Sequence, residues 1–118
     1  LKQKLFILPN IISLNSIVSE FTNFKEGNVI MDMAVVGPNV TIGSANIINT
    51  GSIIEHGVKI DDFCHISTNV VINGDVKIGE GTFIGSGSII ANGVNIGKKC
   101  FIRMGSIVSS DLLDGTKI

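Results

Sequence analysis

The hydrophobic residues of this chain recur at a period of six. Every sixth position holds an aliphatic residue over most of the sequence: Ile30, Val36, Ile42, Ile48, Ile54, Ile60, Ile66, Ile72, Ile78, Ile84, Ile90, Ile96, Ile102 and Val108. Two places before most of them stands a second apolar or small residue, such as Val58 before Ile60. One residue separates the two, which is the alternation of a β-strand, so each hexad predicts a short strand. The same count continues in rougher form towards the N-terminus, through Phe24 and Val18 to Ile12.

Turn-forming residues follow these strands. Gly-Pro-Asn at 37–39, Asn-Gly-Asp at 73–75 and Gly-Ser-Gly at 85–87 are examples, and Gly, Asn and Asp tolerate the positive φ that sharp corners need. Short strands and corners at a fixed period predict an all-β solenoid. With three hexads in each coil the solenoid is a triangular prism, in which residues eighteen apart stack. Periodicity does not decide its handedness, and parallel crossovers in general prefer the right hand.

The residue between each inward pair points outward and defines three faces. The polar face carries Asn23, Thr41, Lys59, Lys77 and Asn95. The histidine face carries Ile11, Val29, Ile47, His65, Phe83 and Phe101, and the aliphatic face carries Ile17, Val35, Ile53, Val71, Ile89 and Ile107. Two apolar outer faces are unusual in a soluble monomer. Two different faces that pack together can close a ring of three, which predicts a cyclic homotrimer; cover by another domain is the alternative.

Composition and charge limit the other possibilities. The chain has 118 residues, enough for one domain, and a formal net charge of −1, which gives no reason to expect nucleic acid or an anionic membrane as partner. No apolar run is long enough to span a bilayer. Cys64 and Cys100 occupy inward positions too far apart for a disulfide, and two free thiols are typical of the cytoplasm. Because the chain begins at Leu1, we expect part of a longer protein, with residues 1–8 a remnant of an upstream segment and the solenoid domain at 9–118.

Both histidines of the chain lie in one predicted coil. His56 is at the corner between the aliphatic and polar faces, and His65 points out of the histidine face. In the trimer, His56 of one subunit approaches His65 of the next at the outer mouth of the cleft between them. Imidazoles there can supply a general base and a hydrogen-bond donor to a carbonyl. Each histidine taken singly is more often structural, but their pairing favours a functional interpretation.

Two further groups are candidates for binding. Gly74 stacks on His56 one coil later, so its N–H can face a developing oxyanion, although a corner glycine also has a purely structural explanation. Lys98, Lys99, Arg103 and Lys117 lie near the C-terminal end of the chain. They can meet the phosphates of an elongated ligand in the cleft, or form a solvated charged face.

The hexads, with Asn-Thr-Gly-Ser-Ile-Ile-Glu-His at 49–56 and Asp-Phe-Cys-His-Ile-Ser at 62–67, resemble the left-handed β-helix acyltransferases. The closest likeness is to the sialic acid O-acetyltransferase family, which includes bacterial amino-sugar N-acetyltransferases. The resemblance implies a left-handed parallel β-helix, trimers with sites between subunits, acetyl-CoA as donor and a sugar acceptor, with no metal. It also implies that His56 is the general base, that His65 contacts acetyl-CoA, that Gly74 binds the acetyl oxygen through its amide, and that Asn49 lies near the acceptor.

The sequence departs from this family in three places. Gly57 stands where some members have an acidic residue next to the base, so the route by which His56 is oriented is open. Relatives also carry an N-terminal Rossmann-like domain and a Gly-x-Pro-Ala-type C-terminal tail. Three alternatives remain: an acetyltransferase for another small amine or hydroxyl, a scaffold without activity, and a metal site, which would need three imidazoles where the chain has two.

Overall fold

The computed structural model describes residues 6–118, and each hexad there forms a strand of two residues. The strands are β1 (Ile11–Ile12), β2 (Ile17–Val18), β3 (Asn23–Phe24), β4 (Val29–Ile30), β5 (Val35–Val36), β6 (Thr41–Ile42), β7 (Ile47–Ile48), β8 (Ile53–Ile54), β9 (Lys59–Ile60), β10 (His65–Ile66), β11 (Val71–Ile72), β12 (Lys77–Ile78), β13 (Phe83–Ile84), β14 (Ile89–Ile90), β15 (Asn95–Ile96), β16 (Phe101–Ile102) and β17 (Ile107–Val108). Within this range there is no helix long and apolar enough to cross a membrane.

The strands form three parallel sheets, one for each predicted face. The histidine face is the sheet β1-β4-β7-β10-β13-β16, the aliphatic face is β2-β5-β8-β11-β14-β17, and the polar face is β3-β6-β9-β12-β15. Paired residues are eighteen apart, so His65 lies between Ile47 and Phe83. The prediction of three hexads per coil is therefore confirmed.

The inward residues of the hexads form the core. Val58 and Ile60 are almost completely buried, whereas Lys59 between them is exposed, as strand alternation requires. Full burial of an isoleucine stabilises the fold by about 1.5–3 kcal/mol. From Ile30 onwards, most coils bury one such aliphatic residue on each of the three faces. The core begins at Ile30, because Ile12 in the first coil is still 40% exposed. The rough hexads at the N-terminal end thus form the open end of the prism.

The corners are built on one left-handed residue in every hexad. From Gly27 to Gly105 every sixth residue has a positive φ, which turns the chain into the next face. Asn39, Asp75 and Gly87 take this conformation as predicted. Phe63 also takes it, with φ 60° and 63% exposure, although its side chain gives no sequence signal for it.

A column of small polar residues positions the strand that carries His65. The Cys64 N–H donates to Asn46 Oδ1 at 2.7 Å, and the Cys64 thiol lies 3.1 Å from the Gly79 carbonyl oxygen. Cys64 and Cys100 are both buried and free, as predicted. Burial raises the pKa of the Cys64 thiol to about 11, so the group packs as a neutral hydrogen-bonded side chain. These contacts fix the backbone directly before β10.

Both ends of the described range stack on the solenoid. The Leu8 N–H donates to Glu26 Oε1 at 2.9 Å, so contact with the coils precedes Pro9. The upstream segment predicted for residues 1–8 lies in part, at 1–5, outside the described residues. At the other end, Leu112 bridges to Ile96 and Lys117 to Phe101. Residues 111–118 therefore continue the polar and histidine faces after the strict hexads end.

Candidate active site

The His56 imidazole lies in space left by a missing side chain. His56 is in the corner between β8 and β9, and its side chain is 61% exposed. Gly74 is eighteen residues later in the same column. A Cβ at Gly74 would lie 2.6 Å from both Cε1 and Nε2 of His56, far inside an ordinary contact distance. Glycine at 74 is therefore what allows the ring to lie against the next coil.

A carboxylate from the next coil stands beside the same ring. Asp75 Oδ2 is 4.0 Å from His56 Nε2, and the Asp75 N–H donates to the His56 carbonyl oxygen at 2.9 Å. A Cβ at Gly57 would collide with Asp75 Oδ1, so Gly57 makes room for this carboxylate. The acidic group missing directly after His56 is thus supplied from one coil away. Sequence reasoning missed Asp75, although counting eighteen residues from Gly57 finds it.

The Gly74 backbone N–H has no hydrogen-bond partner within residues 6–118, although the residue is buried. The Gly74 carbonyl oxygen accepts from Gly93 and from Asn92 Nδ2 at 2.9 and 2.8 Å. Pro38 occupies the same corner column two coils earlier, so the solenoid does not need an N–H at this position. The unpaired N–H is thus compatible with the column, and the His56 ring covers the position that a Cβ at Gly74 would take.

His65 is held between an aromatic ring and an amide. It is half-buried on the histidine face, where its ring meets Phe83 edge-on with centroids 5.3 Å apart and planes at 84°. Phe83 stacks in turn on Phe101, with centroids 5.1 Å apart. On the other side, Asn49 Nδ2 lies 3.3 Å from His65 Nε2. Asn49, predicted to lie near the acceptor, therefore contacts His65 within one subunit.

The remaining candidates are distributed over different corners. His56 and His65 lie on different sides of the prism, so one subunit does not bring them together. Lys98 and Lys99 are in the corner between β15 and β16, whereas Arg103 follows β16 in the next corner. The basic residues that are close in sequence are thus separated by the width of one face. In the described part of the chain, no three His, Cys, Asp or Glu side chains converge on a possible metal position.

Comparison with known proteins places the chain among transferases built on hexads. The family model described as "Hexapeptide repeat of succinyl-transferase" matches residues 33–73 and 75–110. No curated protein sequence matches significantly.

Solved structures give closer matches. The acetyltransferase domain of PglB from Neisseria gonorrhoeae, in complex with acetyl coenzyme A, has a TM-score of 0.94 and 29% identity over 96% of this chain and 55% of that one. A variant of GDP-perosamine N-acetyl transferase from Caulobacter crescentus, in complex with CoA and GDP-perosamine, has a TM-score of 0.93 and 30% identity over 95% of this chain and 53% of that one.

The chain therefore spans little more than half the length of these two structures. UDP-N-acetylglucosamine O-acyltransferase from Moraxella catarrhalis, at 14% identity and a TM-score of 0.58 over 86% of this chain and 66% of that one, shows a likeness of fold alone. The left-handed β-helix that the resemblance implied is therefore confirmed. The chain belongs to the family of the hexapeptide repeat of succinyl-transferase, and its solenoid is a left-handed parallel β-helix.

Proposed function

We propose that this chain is the catalytic β-helix of an acetyl-CoA-dependent sugar acetyltransferase, with a hydroxyl or amine of a nucleotide-linked or free sugar as acceptor. The observation that carries the proposal is the match over 95% of the chain to an N-acetyltransferase solved with CoA and GDP-perosamine. The similar domain solved with acetyl coenzyme A supports the same donor. The N-acetyltransferase relative favours an amine of a nucleotide-linked amino sugar over a hydroxyl.

His56 is the proposed general base. As the acceptor oxygen or nitrogen attacks the thioester carbonyl, His56 takes its proton, and the carbonyl becomes an oxyanion. Collapse of the tetrahedral intermediate breaks the C–S bond and releases CoA, whose thiolate leaves with the proton returned from His56. The Asp75 carboxylate, 4.0 Å from Nε2, is the nearby negative charge that the transient imidazolium faces. The free amide of Gly74 faces the oxyanion, and no covalent nucleophile is required.

The proposed site lies between subunits of a homotrimer. Apolar side chains remain exposed on both the histidine and aliphatic faces, with Ile11 at 60%, Ile17 at 70% and Ile107 at 77%. When these faces pack on each other, the corner with His56 meets the histidine face of its neighbour, close to His65. Lys98 and Lys99, in the corner next to the histidine face, are then the basic residues placed to bind the coenzyme. Arg103 is on the far side of β16 and is a weaker candidate for that role.

The test is a titration of the chain with acetyl-CoA, followed by turnover with a nucleotide-linked amino sugar. We expect His65→Ala to weaken binding of acetyl-CoA. His56→Ala should leave binding in place and lower kcat by about 10²–10⁴-fold, the usual contribution of a general base. Thr41→Ala on the polar face is the control and should change neither quantity. A verified trimer that neither binds acetyl-CoA nor transfers acetyl would refute the proposal, and a scaffold would become the better explanation. Turnover with another small amine or hydroxyl instead would replace the sugar acceptor.

A further inference from the structure

The side-chain amide of Asn49 has a defined orientation. The backbone N–H of Thr50 donates to Asn49 Oδ1 at 2.7 Å, and the Thr50 hydroxyl lies 3.3 Å from the same oxygen. A backbone N–H is a donor alone, so the atom of the amide that faces it must be the oxygen. The NH₂ group therefore points the other way, where His65 Nε2 lies at 3.3 Å.

This orientation decides what His65 Nε2 can do. An amide NH₂ only donates hydrogen bonds, so the ring nitrogen that faces it must accept one. A neutral imidazole with a bare Nε2 carries its proton on Nδ1. We propose that Asn49 holds His65 as the neutral Nδ1–H tautomer and thereby makes it a hydrogen-bond donor that cannot serve as a base.

The surroundings of the His65 ring favour a single tautomer. Phe83 meets the His65 ring edge-on at 5.3 Å, so the imidazole is confined on a second side. An added proton on Nε2 would place two donors face to face across 3.3 Å, which removes one hydrogen bond without replacing it. Asn49 is thus a positioning residue for His65, in addition to any contact with the acceptor.

The two histidines then take different parts in the reaction, a division that rests on the proposed function. His65 presents Nδ1–H to an acceptor atom of the coenzyme or its acetyl group. In the described residues His56 accepts no hydrogen bond from a side-chain amide. It has a carboxylate at 4.0 Å and keeps a ring nitrogen able to take a proton. The assignment of His65 as donor and His56 as base therefore follows from the hydrogen bonds around each ring and does not depend on the family resemblance.

The test is a measurement of the His65 tautomer by NMR. The chain has two histidines, so His56→Ala labelled with ¹⁵N-histidine has a single imidazole, and long-range ¹H–¹⁵N correlation distinguishes its protonated nitrogen from its bare one. In the free protein we expect Nδ1 protonated and Nε2 bare. Adding Asn49→Asp replaces the donor with an acceptor while an oxygen remains for the Thr50 N–H. We expect that change to move the proton to Nε2, and Asn39→Asp, at an exposed corner with φ 59°, to leave it on Nδ1.

A protonated Nε2 in the His56→Ala protein, or an equal mixture of tautomers, would overturn the inference. So would Asn49→Asp with the proton still on Nδ1. These spectra need no ligand, so they succeed or fail independently of acetyl transfer. If the tautomer is as expected, the Asn49→Asp change in the chain with His56 intact should raise the KM for acetyl-CoA by more than it lowers kcat. An unchanged KM would separate the tautomer from coenzyme binding and refute the role of His65 as donor to the coenzyme.

Discussion

Substitution of Gly74 by alanine tests the geometry of the proposed site most directly. The backbone at this corner accepts a side chain, because Pro38, His56 and Asn92 occupy the same column and Gly74 does not require a positive φ. The new Cβ would lie 2.6 Å from His56 Cε1 and Nε2 and 3.1 Å from Asn92 Nδ2. Carbon atoms in contact are normally about 3.5–4.0 Å apart. The imidazole must therefore move by about 1 Å to restore an ordinary contact.

A displacement of that size is small for stability and large for catalysis. Because His56 is 61% exposed, its ring can swing towards solvent without opening a cavity. Replacing glycine by alanine where φ is compatible stabilises a protein by about 0.4–1 kcal/mol through the unfolded chain, so the unfolding free energy should stay level or rise. A misplacement of about 1 Å in a reacting group costs on the order of 10²-fold. We expect kcat/KM to fall by about that factor, or about 2.7 kcal/mol of transition-state stabilisation.

The assay is a double-mutant cycle with turnover and urea unfolding measured on all four proteins. Gly74→Ala is made in the chain with His56 intact and again in the His56→Ala chain, where the ring is absent. If the loss comes from the displaced ring, Gly74→Ala should have almost no further effect in the second background. An equal loss in both backgrounds would refute the steric argument and assign the effect to the Gly74 backbone amide. Full activity of the single variant would show that His56 is not in this position during turnover.

Asp75→Asn should lower kcat roughly two- to five-fold with the KM for acetyl-CoA unchanged, the effect of one exposed ion pair, and an unchanged kcat would remove Asp75 from the site. Ile107→Glu places a charge on the aliphatic face and should yield monomers by sedimentation, whereas Lys77→Glu on the polar face should keep the wild-type mass; a trimer in both would contradict the packing. Finally, the Cys64 thiol ionises near pH 11 in the folded chain but near about 8.5 when unfolded, so the unfolded chain loses this proton first. Its stabilising contribution is therefore complete below about pH 8.5 and is lost as the pH rises towards 11; urea unfolding at pH 8 and 10, beside Cys64→Ser, should show a steeper decline for the wild type.

The fold could be predicted in detail because the repeat is simple. A period of six places Val58, Ile60 and their equivalents inward, and stacking at eighteen then fixes the partner of every strand. Handedness is different, since the same period suits either hand, and it followed only from the family. The left-handed corner at Phe63 was also out of reach. A phenylalanine has no preference for positive φ, and it takes that conformation because the coil must turn at every sixth residue.

The candidate site was predictable where counting along the chain is enough. Counting placed Gly74 on His56 and put His65 on an apolar face, and the structure shows both arrangements. The contact between Asn49 and His65 depends on side-chain rotamers and on the direction of a hydrogen bond, which a sequence pattern does not contain. Asp75 was not predicted for a related reason, because an acid beside His56 was expected only at position 57, which is a glycine.

The stacking of coils explains why the proposed site takes its side chains from consecutive turns of the helix. In a regular solenoid, positions eighteen residues apart stack in a column and hold similar side chains. Where these side chains are large, they leave no space in which a ligand can reach a histidine ring. The His56 ring needs Gly74 above it, and the Asp75 carboxylate needs Gly57 below it. His56 and Asp75 are therefore each matched by a glycine in the adjacent coil, and the two pairs are neighbours in sequence at 56–57 and 74–75. A histidine introduced at another corner without such a glycine would be pushed towards solvent by the side chain stacked on it. The glycines that interrupt the columns, more than the histidine itself, therefore determine where a solenoid of this kind can hold a base.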